Sequence, residues 1–504
     1  MNNLFTDFLL SREELRELYH WLPIDGIEKI NDIVNQYNYT VRNGFKIPLI
    51  LTGQQPAVFG GPLYTFYKII TSLKLSRVLK LQYRSETLPM FWVHSWDHDW
   101  KEACSINFLS YNYEILPFLF NPDTGEKGKS LYKLKIDKQY IQEKILDIFN
   151  KIRGSEFTNF WREFLINSLV ENDTLSDWAV HILKKVFEGE NIKWFEPHKT
   201  KDFKILKQVI EISIESHQLL FEKFNKTNDL IKKLGYKPKV HKLPENAFFF
   251  LEEENYRNKI QFENGTFYSE ISKKTYTKSE MMNILNYEPE RFSPNILLRC
   301  IYQQMLFPCV VYVGGPAEVA YWAQLKDLFS LFNLSVPIIY PRNRFILLPL
   351  KIRKWLADLN IDIYDLSKIN DSVENTNFFF GSDSQKKEIE IIKMKFIDSA
   401  NLFFNSLFNV FSDNSLYNYR KKFLLKIDIE SQKLIELFLK SKKNKNEIYQ
   451  KHLYYIKNTL FPNGNDQERF FSPFSFIPEY GSDFIKILKD KTDINNFDIG
   501  IIDL

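Results

Sequence analysis

Six consecutive residues carry the densest reactive chemistry in this chain: His94-Ser95-Trp96-Asp97-His98-Asp99. Two imidazoles and two carboxylates in so short a stretch suit general acid–base work, or the grip of a divalent metal. A polar loop whose groups satisfy one another is the plainer reading. The stretch follows Leu88-Pro89-Met90-Phe91-Trp92-Val93, an apolar run that reads as a buried strand. Successive strand side chains point to opposite faces, so all four groups converge only if the loop turns.

Two other loops offer backbone chemistry. The first holds Thr52-Gly53-Gln54-Gln55 and then Gly60-Gly61-Pro62-Leu63-Tyr64. The second is Gly314-Gly315-Pro316-Ala317-Glu318. Glycine lets backbone amides come close to a ligand, and the start of a helix favours an anion. Thr52, Gln54 and Gln55 add neutral polar groups. Neither loop has G-x-G-x-x-G spacing or a Gly-Lys-Ser/Thr end, so a dinucleotide fingerprint and a P-loop are both excluded. Taken alone, such turns are more often structural. Glu318 in a first helical turn is equally explained by the helix dipole. Tyr321 and Trp322 read as packing. Arg299, Arg342 and Arg344 suit a carboxylate or phosphate, and equally an ordinary ion pair.

Each glycine loop follows a short apolar run and opens a helical pattern. In an open α/β sheet this places the loop at the carboxyl edge of a strand, where ligands bind. The two loops lie far apart in sequence, so we expect one small-molecule site built from both halves of a split α/β core. Strands are expected at Ile47–Leu51, Leu88–Val93, 309–313 and 336–340, with helices at about 62–79 and 317–333. Residues 1 to about 45 read as helical, with a capping box at Ser11-Arg12-Glu13-Glu14. Helical and hairpin-like sequence from about 116 to 290 reads as an insertion. The alternation in Ala247–Leu251 and Lys259–Phe262 carries the hairpin expectation.

Residues 350–461 contain no proline and one glycine, Gly381. Ile389, Ile392, Phe396, Ser399, Phe403, Leu407 and Val410 recur at spacings of three and four, which keeps them on one helical face. Leu416, Phe423, Ile427, Leu434 and Phe438 suggest a partner helix. The lysine-rich stretch Lys440–Lys445 reads as a solvated turn to a third helix. An antiparallel helical arm results, and its apolar stripe makes dimerisation through the arm an expectation. Pro462-Asn463-Gly464 then stops the helix, after which Gln467, Glu468 and Arg469 carry polar groups back toward the body.

Composition narrows the classes. The 504 residues are 44% hydrophobic and 26% charged, an ordinary globular mixture. Aromatics reach 16%, with 45 Phe, which we attribute to core packing. A net charge of +4 on this length argues against nucleic acid as a partner. Cys104, Cys300 and Cys309 have no metal or redox spacing and fit a reducing cytosol. No apolar run suits a signal peptide or a membrane span, so a soluble cytoplasmic protein is expected.

Five motifs, in order, resemble the bacillithiol biosynthesis cysteine-adding enzyme family (BshC). They are Thr52–Gln55 with Gly61-Pro62-Leu63-Tyr64-Thr65, Phe91-Trp92 with Asp97-His98-Asp99, and Pro289–Asn295 with Leu297-Leu298-Arg299. Gly314–Trp322 and Phe461–Gly464 with Gln467-Glu468-Arg469 complete the set. Trp96 departs from the pattern, which usually has an acidic residue there. The resemblance implies a Rossmann-type core like the nucleotidyl transferases, with connecting-peptide insertions and a coiled-coil arm that forms a homodimer. The resulting division is 1–115 for the first half of the core, 116–290 for the insertion and 291–350 for the second half. The arm is 351–461, and 462–504 returns to the core.

The resemblance also implies a ligase that joins the carboxyl group of cysteine to the amine of glucosaminyl-malate, and a nucleotide site. Activation of the carboxyl group makes ATP the expected co-substrate, with ADP also bound. Thr52, Gly53, Gln54 and Gln55, with Gly61, Tyr64, His94 and Arg299, are then expected to hold substrate or nucleotide. His98 is the expected base, oriented by Asp97 or Asp99. Glu318, Tyr321 and the Gly314–Gly315 backbone are expected to meet the amino or sugar groups. Whether a metal takes part is left open. The alternatives are a different ATP-dependent ligase or nucleotidyl transferase, or a non-catalytic dimeric nucleotide-binding scaffold.

Overall fold

A computed structural model describes residues 3–36, 46–363, 383–411 and 417–504. The chain divides into two units. The first comprises residues 1–111, 115–347 and 465–502, and the second is built mainly from 348–464.

The elements of the first unit that matter for the site run in this order. Strand β1 is Leu49–Gln54, helix α1 is Leu63–Tyr83, β2 is Leu88–Val93 and β3 is Lys193–Phe195. The hairpin region follows, with β4 (Asn246–Glu253), β5 (Tyr256–Glu263), β6 (Thr266–Ser269), β7 (Thr275–Tyr276) and β8 (Phe292–Pro294). Helix α2 is Ile296–Leu306, β9 is Cys309–Gly314, α3 is Pro316–Trp322 and β10 is Ile338–Pro341.

The core sheet has the order β10-β9-β1-β2-β3, and its neighbouring strands are all parallel. Leu49–Leu51 and Val311–Val313 are fully buried, as expected for strands covered on both faces. From β1 the chain builds outward through β2 and β3, then returns on the other side of β1 with β9 and β10. The junction between β1 and β9 is therefore a topological switch point, where a crevice opens at the strand ends. Helices from 138 to 233 and a second, antiparallel sheet (β8-β4-β5-β6-β7) fill the expected insertion. Two strands depart from the expected division: β3, from the insertion, joins the core sheet beside β2, and β8, from the expected second half of the core, pairs with β4 in the second sheet.

Two local expectations need correction. Ser11 does not cap a helix. It sits at φ +54°, its Oγ accepts from the Ile24 amide at 2.9 Å, and Glu13–Glu17 forms a 3-10 turn with no side-chain cap. The lysine-rich stretch 440–445 is not a turn either. It lies inside one 44-residue helix, α5 (Tyr417–Leu460), because nothing in it breaks a helix as Gly or Pro would. The residues 1–2, 37–45, Gly381 and Leu416 of those expectations lie outside the described residues.

In the second unit, α4 (Asp383–Phe411) runs antiparallel to α5. Asn401 accepts from Arg420 at 2.6 Å and Lys393 pairs with Asp428 at 2.8 Å. Ile392, Phe396, Phe403 and Val410 remain exposed on α4, as do Leu434 and Phe438 on α5. Among the described residues, no helix is long and apolar enough to cross a membrane.

Within the first unit, the C-terminal return is held to the end of β10 by a buried ion pair. Arg342 donates from both Nη atoms to Glu468, each at 2.7 Å, and Arg344 Nε adds a third bond at 3.0 Å. Gln467 exchanges two bonds with the Leu347 backbone, at 2.8 and 2.9 Å. Burial alone would raise the Glu468 carboxyl, but the two guanidiniums outweigh it and hold it below the ordinary range. Its contribution to stability is thus complete above the unfolded carboxyl value and is lost as pH falls through the lower folded value. Glu468→Gln should cost about 3 kcal/mol, the scale for breaking a buried pair. Melting curves should show a lower midpoint than wild type near neutral pH, with the gap closing at roughly pH 4 and below.

Candidate active site at the switch point

The carboxyl ends of four core strands open on one cavity of about 560 Å³. Gln54 ends β1, His94 follows β2, Gly315 follows β9 and Arg342 follows β10, and all four line it. Residues of the second sheet, Phe250 and Arg257, line it as well.

Its floor is a buried ion pair. Lys68, one turn beyond Tyr64 on α1, donates to the Gly53 carbonyl at 2.9 Å and to Gln54 Oε1 at 2.8 Å. Its Nζ lies 2.5 Å from Glu318 Oε2. Glu318 also accepts from the Gly315 amide at 2.8 Å and from the Tyr312 hydroxyl at 2.6 Å. Burial pushes the Glu318 carboxyl up, but Lys68 and the Gly315 amide outweigh it and keep it ionised. Gly53 is required here by close approach. A Cβ on it would lie 2.5 Å from the Trp92 carbonyl and 2.9 Å from His94 Nε2.

The walls are rich in cations. Lys68, Lys239, Arg257, Arg299, Arg342 and Arg469 line the cavity, against three carboxylates, Asp97, Glu102 and Glu318. Lys68 and Arg342 are neutralised by Glu318 and Glu468. Arg299, itself buried, spends its donors on neutral acceptors, Gln303 Oε1 at 3.0 Å and the Tyr321 hydroxyl at 2.9 Å. Arg342 and Arg469 lie 5.7 and 5.6 Å from the Tyr64 ring centre, cation–π distances. A cavity so lined favours an anionic ligand.

The polar stretch after β2 turns, but it does not converge. His94 is held neutral by burial, reinforced by the charges of Arg299 and Lys68. Its Nε2 is enclosed and has no hydrogen-bond partner among the described residues. Asp97 Oδ1 accepts from the His98 amide at 2.7 Å and the Asp99 amide at 3.3 Å, which shapes the turn. Asp99 caps the short helix Trp100–Ala103 through the Glu102 amide at 3.2 Å. Neither carboxylate orients the His98 ring as expected. Asp97 is 3.9 Å from its Nδ1, and that nitrogen accepts from Arg257 Nη1 at 3.1 Å instead. Trp96 is buried, with its ring 5.9 Å from Tyr302.

Of the residues expected at the site, Gln54, Gln55, Tyr64, His94, Asp97, His98, Arg299, Gly315, Glu318 and Tyr321 line the cavity. Thr52, Gly53, Gly61, Asp99 and Gly314 do not. Thr52 is fully buried and bonds the Val313 carbonyl at 2.8 Å, tying β1 to β9. Gly61, at φ +91°, serves the turn before α1. The Gly314 carbonyl accepts from the Arg342 amide at 2.9 Å. Glu318 is there, but its oxygens are already engaged by three donors. Among the described residues, the ligating groups that come within 4.8 Å of one another are Asp177, Glu196 and His198. There Lys199 sits 2.9 Å from Asp177 and 2.7 Å from Glu196, in the place a cation would take.

Lys68, Glu102, Lys239, Arg257 and Arg469 line the cavity without having been singled out as ligands. Lys68 left a trace, as the one charged residue between Leu63 and Leu73. Arg257 left none, because nothing in a hairpin sequence says which loop it will meet.

These features define a split α/β protein with an anion-favouring cavity at the switch point of a parallel sheet. The description "Bacillithiol biosynthesis BshC, N-terminal Rossmann-like domain" matches residues 44–343, and "Bacillithiol biosynthesis BshC, C-terminal coiled-coil domain" matches 345–504. The chain belongs to the BshC family. Relatives from Staphylococcus aureus strains MRSA252 and JH9 are named "Putative cysteine ligase BshC". Each is 28% identical over 452 residues, covering 88% of this chain and 82% of its own. A solved structure titled as a putative arginyl-tRNA synthetase from Campylobacter jejuni overlaps 88% of this chain and 99% of its own. Its identity is 9% and its TM-score 0.26, too loose a likeness to bear on fold or function.

Lys68→Met keeps most of the side-chain length and strands Glu318 as a buried, unpaired charge. It should lower stability by about 3–5 kcal/mol. The double variant Lys68→Met/Glu318→Gln should lose clearly less than the sum of the two single changes. Thermal melts of all four proteins give the comparison, and simple additivity would rule the pair out as the floor of the site.

Proposed function

We propose that this protein is a cysteine ligase of bacillithiol synthesis, joining the carboxyl group of cysteine to the amine of glucosaminyl-malate. The observation that carries this reading is the cation-lined cavity at the switch point of a chain matched along its length by the BshC family. Both the malate carboxylates and a nucleotide phosphate are anions, and Arg299 and Arg469 line the cavity with no carboxylate in ion-pair contact among the described residues. Gln54 and Gln55 supply neutral polar groups beside them, and the Gln55 amide nitrogen has no partner among the described residues. Asp97 and Glu102 line the cavity with no Lys or Arg in ion-pair contact among the described residues, which suits the ammonium group of cysteine.

A carboxylate does not condense with an amine in water unless it is first activated. ATP therefore fits as co-substrate, its phosphates meeting the same cationic wall. Two histidines offer further hydrogen bonds to the ligand. Both are held neutral, so each can accept or offer one hydrogen bond at a ring nitrogen. The exposed apolar stripes of α4 and α5 support a homodimer through the arm.

Purified protein should consume ATP only when cysteine and glucosaminyl-malate are both present. ATP turnover with other acceptors would favour a different ligase, and binding without turnover a scaffold. Arg299→Gln should raise KM for glucosaminyl-malate by at least about tenfold, the scale of one charge-assisted bond, with little change in melting temperature. In sedimentation equilibrium the protein should run as a dimer, and Phe396→Glu with Phe403→Glu should make it a monomer.

A further inference from the structure

Arg257 belongs to β5, in the insertion, and His98 to the loop after β2, in the core. The guanidinium is held on every side. Its Nε donates to Ser293 Oγ at 2.9 Å, Nη2 to the Pro294 carbonyl at 3.1 Å and Nη1 to His98 Nδ1 at 3.1 Å. Its plane lies over Phe250, 3.7 Å from the ring centre, and the His98 ring meets the same Phe250 edge-on at 5.5 Å. A guanidinium has donors and no acceptor. The nitrogen that faces it must therefore offer a lone pair, and a neutral imidazole with its lone pair on Nδ1 carries its proton on Nε2.

We propose that Arg257 is a positioning residue that fixes His98 in the neutral, Nε2-protonated form, so that His98 presents a hydrogen-bond donor to an anionic oxygen of the bound ligand. His98 lines the cavity, and its Nε2 has no partner among the described residues. The charged groups around it agree. Burial and Arg257 disfavour a second proton, while Asp97 and Asp99 oppose them and do not prevail. A neutral imidazole that polarises a ligand oxygen is a known catalytic use of histidine. It differs from the base expected from sequence, because a nitrogen that already bears a proton cannot take one from the amine. The role in turnover rests on the ligase reading above, whereas the protonation state does not.

Full-length protein with ring-15N histidine decides the first part. At about pH 7, in long-range 1H–15N spectra assigned by loss of signal in His98→Gln, Nδ1 of His98 should resonate as an unprotonated nitrogen and Nε2 as a protonated one. Arg257→Lys keeps a donor and should preserve this. Arg257→Met should scramble the two forms and move the titration of His98 toward the ordinary value of about 6.5. A wild-type spectrum with the proton on Nδ1, a mixture or a cation would overturn the inference, whatever the variants do. Turnover decides the second part. His98→Gln, whose amide reaches the Nε2 position, should stay within about tenfold of wild type, and His98→Leu should lose roughly a hundredfold or more. Equal losses would remove the donor role. Spectra as expected from a protein with no ligase activity would sink the ligase reading alone, and the opposite spectra from an active enzyme would sink this inference alone.

Discussion

A lysine ammonium shut away from water needs acceptors for all three of its protons, and Lys68 finds them in Gly53, Gln54 and Glu318. This one cluster dictates much of the architecture around it. Two of its acceptors come from the end of β1 and the third from the first turn of α3, so the pair clamps the two halves of a split sheet together. Glycine is needed at position 53 because β1, β2 and His94 must all crowd the same point. Glu318 is in turn fixed by Tyr312 and the Gly315 amide, leaving it no freedom to follow a substrate. What resembles a ligand-binding carboxylate in sequence is the keystone beneath the cavity.

Around that clamp the charges divide into those that are settled and those left for a ligand. Arg342 is settled by Glu468, delivered from the far end of the chain. Among the described residues Arg299 hydrogen-bonds neutral partners, and Arg469 lies beside the Tyr64 ring. An unneutralised guanidinium in a partly enclosed cavity is costly on its own, and an anionic ligand relieves that cost. The histidines stay neutral in this field for the same reason, since burial and nearby cations both act against a further positive charge.

Much of this was legible in the residues. The two glycine loops, the apolar runs before them and the helical patterns after them located the strand ends and the site. The residues ending a strand or opening a helix, Gln54, His94, Gly315 and Glu318, did fall at the cavity. The misreadings have local causes. Thr52 reads as a ligand in sequence, but it sits two positions before the end of β1 and its hydroxyl is taken by the Val313 carbonyl of β9. Asp99 was paired with His98, but an Asp before a short helix caps it. Lysines at 440–445 suggested a turn, although charge alone does not end a helix. Arg257 could not have been found, because its role depends on how a distant hairpin folds back on the core.

The clamp also sets an order of assembly. Lys68 leaves the ribosome about 250 residues before Glu318, which at the usual 5–20 residues per second is roughly 12 to 50 s. Through that interval the first half of the sheet has a cation for its interior and no counter-ion. Its helix cannot be sealed in place, and an apolar strand edge stands open beside it. The nascent chain therefore passes this interval with the hydrophobic flank of β1 uncovered, and the arrival of the second glycine loop closes both the edge and the charge in one event.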